Sequence, residues 1–148
     1  IVSDFDEIPN VKLLEEIKLN PASIDKIYSL EQDMYYYNLN CLFEEKWFKS
    51  KILKLKYLET SISNLRKLKP LNVKKNAGWH FSYFGDISTV INKIKNFSHQ
   101  EHNKREILDL DNLEKRINNN EDIFNRNIKI INNKIEPSKL PKNYALLL

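Results

Sequence analysis

Ile1-Val2-Ser3-Asp4-Phe5-Asp6-Glu7-Ile8-Pro9 opens the chain, and its reading decides the fold. Two apolar residues lead into a small one and then into acids. That order fits the end of a buried strand that delivers carboxylates at its carboxyl edge. Pro9 and Asn10 then break the strand and open a helix. Val11, Leu14, Ile17 and Lys18 follow with helical spacing, and Asn20-Pro21 ends it. A strand that hands polar groups to its end and passes at once into a helix belongs to an α/β domain.

Outward from this junction, residues 24–40 read as extended. Tyr28, Leu30, Gln32, Met34, Tyr36 and Asn38 share one face of such a strand. The three consecutive tyrosines, Tyr35 to Tyr37, favour a strand as well. Residues 47–57 form a second alternating run, interleaved with Lys, and are a candidate partner for the first. Residues 58–69 read as helical and 71–77 as extended. The segment Gly78-Trp79-His80-Phe81-Ser82-Tyr83-Phe84-Gly85 lies between the chain's two glycines and is dense in aromatics. Asp86 can cap the next helix, whose apolar stripe is Ile87, Val90, Ile91, Ile94 and Phe97. A polar loop at 98–103, a short helix at 109–119 and a surface-wrapping tail at 132–148 complete the pass. No repeat or long linker divides the 148 residues, which read as a single domain. An α/β domain rarely opens on its catalytic strand with nothing before it, so either the sheet is incomplete here or a preceding portion is expected to be missing.

Composition narrows the function classes. Hydrophobic residues make up 41% and charged residues 30%, as in a soluble globular chain. No apolar run approaches the ~20 residues of a membrane span. Asp4, Asp6 and Glu7 stand where a secretory signal would carry basic and apolar residues. The expected compartment is the cytosol, with anchoring outside these residues left open. The net charge of +4 comes with Lys far exceeding Arg, no Arg cluster and no aromatic-basic module, so nucleic acid is not an expected partner. Cys41 is the only cysteine, which excludes an internal disulfide and a thiolate zinc site. A buried structural thiol is its default reading. Oligomeric state is not legible.

Four segments carry possible chemistry. On a strand, Asp4 and Asp6 project to one side, and carboxylates that close repel unless a cation or donors neutralise them. A hard divalent ion, Mn²⁺ or Mg²⁺, is the natural solution. The plainer alternative is an exposed acidic turn ahead of the helix. In the aromatic segment, His80 can reach a metal or a phosphate, and Trp79, Tyr83 and Phe84 can stack on apolar sugar faces. The alternative is a packed core strand with a hydrogen-bonded histidine. Phe97-Ser98-His99-Gln100-Glu101-His102-Asn103 offers Glu101 as a general base and His99 as a substrate contact, or else a solvated loop. Gln32, Tyr36 and Asn38 give the long strand a polar face suited to a hydroxyl-rich ligand, or one wet edge.

Taken in order, Ser3–Pro9, Leu30–Asn40, Gly78–Gly85 and Phe97–Asn103 resemble glycosyltransferase family 17, in its bacterial or viral branch. The resemblance runs from residue 1 to about residue 130. That family includes the N-acetylglucosaminyltransferase that adds the bisecting residue to N-glycans. The resemblance implies a GT-A-like fold, here lacking the N-terminal nucleotide-binding half that precedes the Asp-x-Asp strand, with a UDP-sugar donor (UDP-N-acetylglucosamine), a glycan acceptor, a divalent cation and inversion. It implies Asp4, Asp6 and Glu7 as the Asp-x-Asp-like motif. Asp6 would be the direct metal ligand, and Asp4 would reach the ribose or a metal-bound water. His80 would touch metal or phosphate. Glu101 matches the Ser-His-x-Glu segment as base, with Asp86 as the competing base or an N-cap.

Two other classes compete. One is a non-catalytic remnant or sugar-binding fragment kept for its aromatic face. The other is a metal-dependent phosphoryl-transfer enzyme using Asp4 and Asp6. Phosphatases of the haloacid dehalogenase type also carry an early Asp-x-Asp, but they follow it with a small or β-branched residue where Glu7 stands here.

Overall fold

The computed structural model describes residues 1–96, 109–126 and 128–147. Six strands and four helices alternate along them. These are β1 (Glu7–Pro9), α1 (Val11–Leu19), β2 (Tyr28–Tyr36), β3 (Cys41–Phe43), β4 (Lys51–Ile52), α2 (Ile62–Lys67), β5 (Lys74–Ser82), α3 (Ile87–Asn96), α4 (Leu110–Asn118) and β6 (Ile130–Asn132). The sheet order is β1-β5-β2-β3-β6, with β4 pairing β2 off this path. The α/β class expected from the alternation is the class observed. No helix among the described residues is long and apolar enough to cross a membrane. The chain divides into two compact units, Ile1–Met34 with Glu45–His80, and Tyr35–Glu44 with Phe81–Leu148.

The first unit carries the acidic segment. The expected strand over residues 1–6 is not formed. Val2 makes only an isolated bridge to Lys51, and the chain then turns, with the Glu7 N–H donating to the Asp4 carbonyl at 3.1 Å. The strand starts at Glu7, where β1 pairs antiparallel with β5 in the register Glu7↔His80, Ile8↔Trp79 and Pro9↔Gly78. Asp4 and Asp6 therefore sit in a turn, not on a pleat, and the period-two argument does not apply to them. The turn wins because the Glu7 backbone has a ladder partner in β5, whereas residues 3–6 have none.

The helix α1 forms as expected, with the Asn10 side chain accepting from the Lys12 N–H and Asn20 closing its end. Its packing face differs from the reading, because Val11 is exposed while Leu13 and Ile17 lie on the core of Ile24, Leu30, Ile52 and Ala77. Of the second alternating run, only Lys51–Ile52 becomes strand, and Trp47 adds a bridge to Gln32. The helix α2 is capped by the Ser61 hydroxyl, and its fully buried Leu65 seats it against the unit. The two extended pieces expected around 71–85 merge into the single strand β5, because the tight approach at Gly78 needs no break. A Cβ on Gly78 would sit 2.1 Å from the Ile8 carbonyl oxygen, and its φ is +145°. Only glycine meets both demands.

The second unit is built on Tyr35↔Leu42 pairing between β2 and β3, and on β3 pairing β6 from Cys41↔Asn132 to Phe43↔Ile130. Its core holds Tyr36, Tyr37, Leu39, Tyr83, Val90, Ile94, Leu113, Ile123 and Leu140. The expected α3 stripe is confirmed at Val90 and Ile94, while Phe97 and the loop 98–103 lie outside the described residues. Asp109 caps α4 through the Asn112 N–H. Cys41 is buried, with its thiol 2.7 Å from Asn120 Oδ1, as a structural thiol should be. The tail holds two short 3-10 turns, Pro137–Lys139 and Tyr144–Leu147, and Leu140 between them is buried.

The Gly78 contact yields a direct expectation. Gly78→Ala should cost about 2 kcal/mol or more, through overpacking and a disfavoured φ. Urea unfolding of both proteins measures it, and an unchanged midpoint would show that β1 does not need this close approach.

Candidate functional site

The acidic turn of the first unit is organised by a carboxylate that does not face solvent. The Glu7 side chain is 0% exposed. Its Oε1 accepts from Trp47 Nε1 at 2.5 Å and Arg66 Nη2 at 2.9 Å. Its Oε2 accepts from the Ser50 hydroxyl at 2.6 Å, Arg66 Nη1 at 2.8 Å and the Asp4 N–H at 3.0 Å. Ser3 closes the turn by donating to the Glu7 carbonyl at 2.8 Å. Burial pushes the Glu7 carboxyl up, but the hydrogen bonds from Arg66, Ser50, Trp47 and the Asp4 N–H outweigh it and hold it down at about 2.

Arg66 reaches further than Glu7. Its Nη2 also bonds Asp4 Oδ2, so one guanidinium gathers two carboxylates of the motif. The bond to Glu7 comes first among the causes that raise the Arg66 pKa. Asp6 takes the other direction, with its Oδ1 3.4 Å from His80 Nε2. His80 is buried on β5 and lies against Trp47, with ring centroids 4.6 Å apart. Its Nδ1 is a buried atom with no hydrogen-bond partner in the structure, and so is Gln32 Oε1. Phe5, at the tip of the turn, is fully exposed.

A second buried cation stands behind the turn. Lys51 donates from Nζ to Ser29 Oγ at 2.9 Å and to the Phe48 carbonyl at 2.5 Å. Burial lowers its pKa to about 8, helped by repulsion from Lys49 and Arg66. Its backbone exchanges two hydrogen bonds of 2.9 Å with Val2, which fixes the start of the chain beside the turn.

The sequence-selected residues thus fall into groups. Asp4, Asp6, Glu7 and His80 lie in the first unit, but Asp4 and Asp6 do not converge: Asp4 turns to Arg66 and Asp6 to His80. Gln32 and Trp79 belong to the same unit but are buried, with Gln32 Nε2 3.5 Å from the Trp79 carbonyl oxygen. In the second unit Tyr36 stacks on Tyr83 at 6.0 Å, and Tyr83 meets Phe124 edge-on at 5.5 Å. The core-strand alternative describes Trp79, Tyr83 and Tyr36, whose rings serve packing. Asn38 is exposed, but it lies beyond the end of β2, because Tyr37 leaves the extended region with φ 62°. Asp86 caps α3, with its Oδ1 accepting from the Ser88 hydroxyl and the Thr89 N–H. His99 and Glu101 lie outside the described residues.

Arg66, Trp47 and Ser50 were not found from the sequence. They lie 59, 40 and 43 residues from Glu7, and no motif links them. The available signal was weak: arginine is sparse beside lysine in this chain, and Arg66 is one of four.

A cation must fit the donors present. Among the described residues no group of three or more His, Cys, Asp or Glu side chains is arranged to hold a metal ion. Glu7 does not fit, since both its oxygens are taken. Asp6 and His80 offer an oxygen and a nitrogen donor whose facing atoms are 3.4 Å apart, a pair and not a set of three. Asp4 has the right chemistry and the right turn, but here it faces Arg66.

The model of one protein family, glycosyltransferase family 17, matches residues 1–128. No curated protein matches the chain, and no solved structure does.

The Glu7 network predicts a pH signature. The Glu7 pKa is depressed on folding, so its stabilisation is fully present above the ordinary carboxyl value of 4.5 and is lost as pH falls through about 2. That loss should amount to about 3 kcal/mol. Urea unfolding followed from pH 5 to 2 should show an acid slope in the wild type that is reduced in Glu7→Gln. Identical slopes would show that Glu7 is not held ionised.

Proposed function

The chain belongs to glycosyltransferase family 17, and on that premise we propose that it transfers a sugar from a UDP-sugar donor to a glycan hydroxyl with inversion. N-acetylglucosamine is the proposed sugar, on a GT-A-like scaffold. The observation that carries this reading is the facing pair Asp6 and His80, 3.4 Å apart on a turn locked from behind by Glu7.

In this reading Asp6 and His80, with Asp4, would hold a Mn²⁺ or Mg²⁺ ion, which would supply charge neutralisation for the leaving diphosphate. The chain's own task is positioning. Glu7 takes no part in the chemistry; it fixes the turn, so that Asp6 stays beside His80 without reorganising. The tilted ring contact with Trp47 and the contact with Asp6 orient the imidazole. The base is assigned to Glu101 on sequence grounds. Asp86 is a poor candidate, because hydrogen bonds from Thr89, through side chain and backbone, and from Ser88 lower its pKa and occupy it as a helix cap.

The test is donor turnover. Purified protein is incubated with UDP-N-acetylglucosamine, Mn²⁺ and a panel of glycan acceptors, while UDP release and sugar transfer are followed together. Asp6→Ala should reduce both by at least about 100-fold, the scale of losing a metal ligand's contribution. Glu101→Gln should reduce transfer while leaving donor binding intact, whereas Asp86→Asn should act mainly on stability. Phosphate release without sugar transfer would replace this reading with a phosphoryl-transfer one.

A further inference from the structure

The positive charge of the chain is concentrated in the first unit. The whole chain carries +4, yet residues 49–75 hold nine Lys or Arg against one acid, Glu59. The remainder is therefore acidic on balance. Two of the nine cations are used inside the unit, Lys51 by burial and Arg66 on Glu7. Folding gathers three of the others around two tyrosines, together with Lys26. The Nζ of Lys74 lies 4.4 Å from the centre of the Tyr28 ring, and that of Lys26 lies 5.9 Å from it. Lys56 stands over Tyr57 at 4.9 Å. The Tyr28 hydroxyl donates to Asp25 at 2.7 Å. That bond above all lowers the Asp25 pKa, and the charges of Lys26 and Lys54 add to it. The same bond raises the Tyr28 pKa, with burial and Tyr57 adding to it. Residues 25–28, 54–57 and 74 thus form one patch that no single stretch of sequence displays.

The four lysines of this patch keep their charge for the outside. Among the described residues Lys26, Lys54, Lys56 and Lys74 make no ion pair, whereas Lys46 of the same unit is paired with Asp33. An aromatic face holds an ammonium in place without neutralising it. Leu55 stands between Lys54 and Lys56 in the 3-10 turn Leu55–Tyr57 and is 83% exposed. We infer that this patch docks the first unit on an anionic lipid bilayer, with the four lysines meeting headgroup phosphates and Leu55 entering the interface. Clustered Lys is the charge pattern that anionic leaflets attract, and an exposed Leu beside it adds apolar burial at the headgroup boundary. A nucleic-acid strand is a poorer fit. It needs open rings for its bases, and here Lys74 and Lys56 cover the rings of Tyr28 and Tyr57. The patch also contains no Arg for bidentate contacts. The attachment lies on the membrane and does not span it.

The test is co-sedimentation of the full chain with sucrose-loaded vesicles, of phosphatidylcholine alone or mixed with phosphatidylserine. The wild type should sediment with the mixed vesicles only, and added salt should release it. Each lysine near an anionic surface contributes about fivefold, so K26Q/K56Q should weaken binding by about tenfold or more. Leu55→Ser should weaken it by about fivefold and keep the salt dependence. K12Q/K18Q makes the same change of charge on α1, outside the patch, and should bind nearly as the wild type does. All five of these side chains belong to exposed residues, so far-UV circular dichroism should show an unchanged fold. Absence of binding to the mixed vesicles overturns the inference. So does an equal loss in K12Q/K18Q and K26Q/K56Q, which would leave net charge alone, or full binding by Leu55→Ser. Tighter binding to a single-stranded oligonucleotide than to vesicles, at equal phosphate concentration, would make the patch a nucleic-acid surface and overturn it as well. No sugar donor enters the measurement, so its outcome is separate from that of the transferase reading.

Discussion

A single buried carboxylate, Glu7, constrains the first unit more than any other group. An ionised carboxylate out of water is costly unless nearly every lone pair is met. Here donors from Trp47, Ser50, Arg66 and the Asp4 backbone meet them. Those donors come from the stretch before β4, from the residue at its edge, from α2 and from the turn itself. Satisfying one carboxylate therefore fixes four pieces of chain relative to one another. The position of Glu7 is fixed in turn by its ladder with His80, which requires the close approach of Pro9 to Gly78. A glycine in β5 and an arginine in α2 thus serve the same end.

This constraint decides what the other acids of the motif do. With Glu7 pointing inward and its N–H bonded to Asp4, the segment between them must reverse. The reversal sends Asp4 towards Arg66 and Asp6 towards His80. On a pleated strand the two would share a face and repel. On the turn they part, and each faces its own partner. Phe5, between them, is left exposed because the turn has no inward face to give it.

The sequence carried the local part of this. Periodicity and caps revealed α1, α3 and α4, because helix signals repeat within a few residues and need no distant partner. The strand β2 was legible from its tyrosines and its alternation, although its end at Tyr36 was not, since Tyr37 takes a positive φ while its hydroxyl donates to the Glu121 carbonyl. That bond spans 84 residues and leaves no local trace. The same holds at the acidic segment. Asp4, Asp6, Glu7 and His80 were identified as a group from their types and order. Asp4 and Asp6 read as strand but lie in a turn, because the causes of that turn, Arg66 above all, are non-local. Trp79, Tyr83 and Tyr36 were open to two readings, platform or core, which composition cannot separate and burial can.

The choice of cation in the first unit follows the same logic. Lys51 is fully buried and meets a hydroxyl and a carbonyl, with no carboxylate bonded to its ammonium. A point charge with rotatable donors suffices there, and burial draws its pKa down. At the turn, two carboxylates at different depths must be served at once. A guanidinium does this with one nitrogen bonded to both and the second to the deeper one. Exchanging the two cations would leave Glu7 with a single-point partner and burden the Lys51 niche with surplus donors that it cannot satisfy. An apolar filling of the Glu7 niche would stabilise the unit as well or better. It would also release the turn, and with it the direction that separates Asp4 from Asp6. The buried pair is thus better understood as setting the geometry of the acidic turn than as holding the unit together.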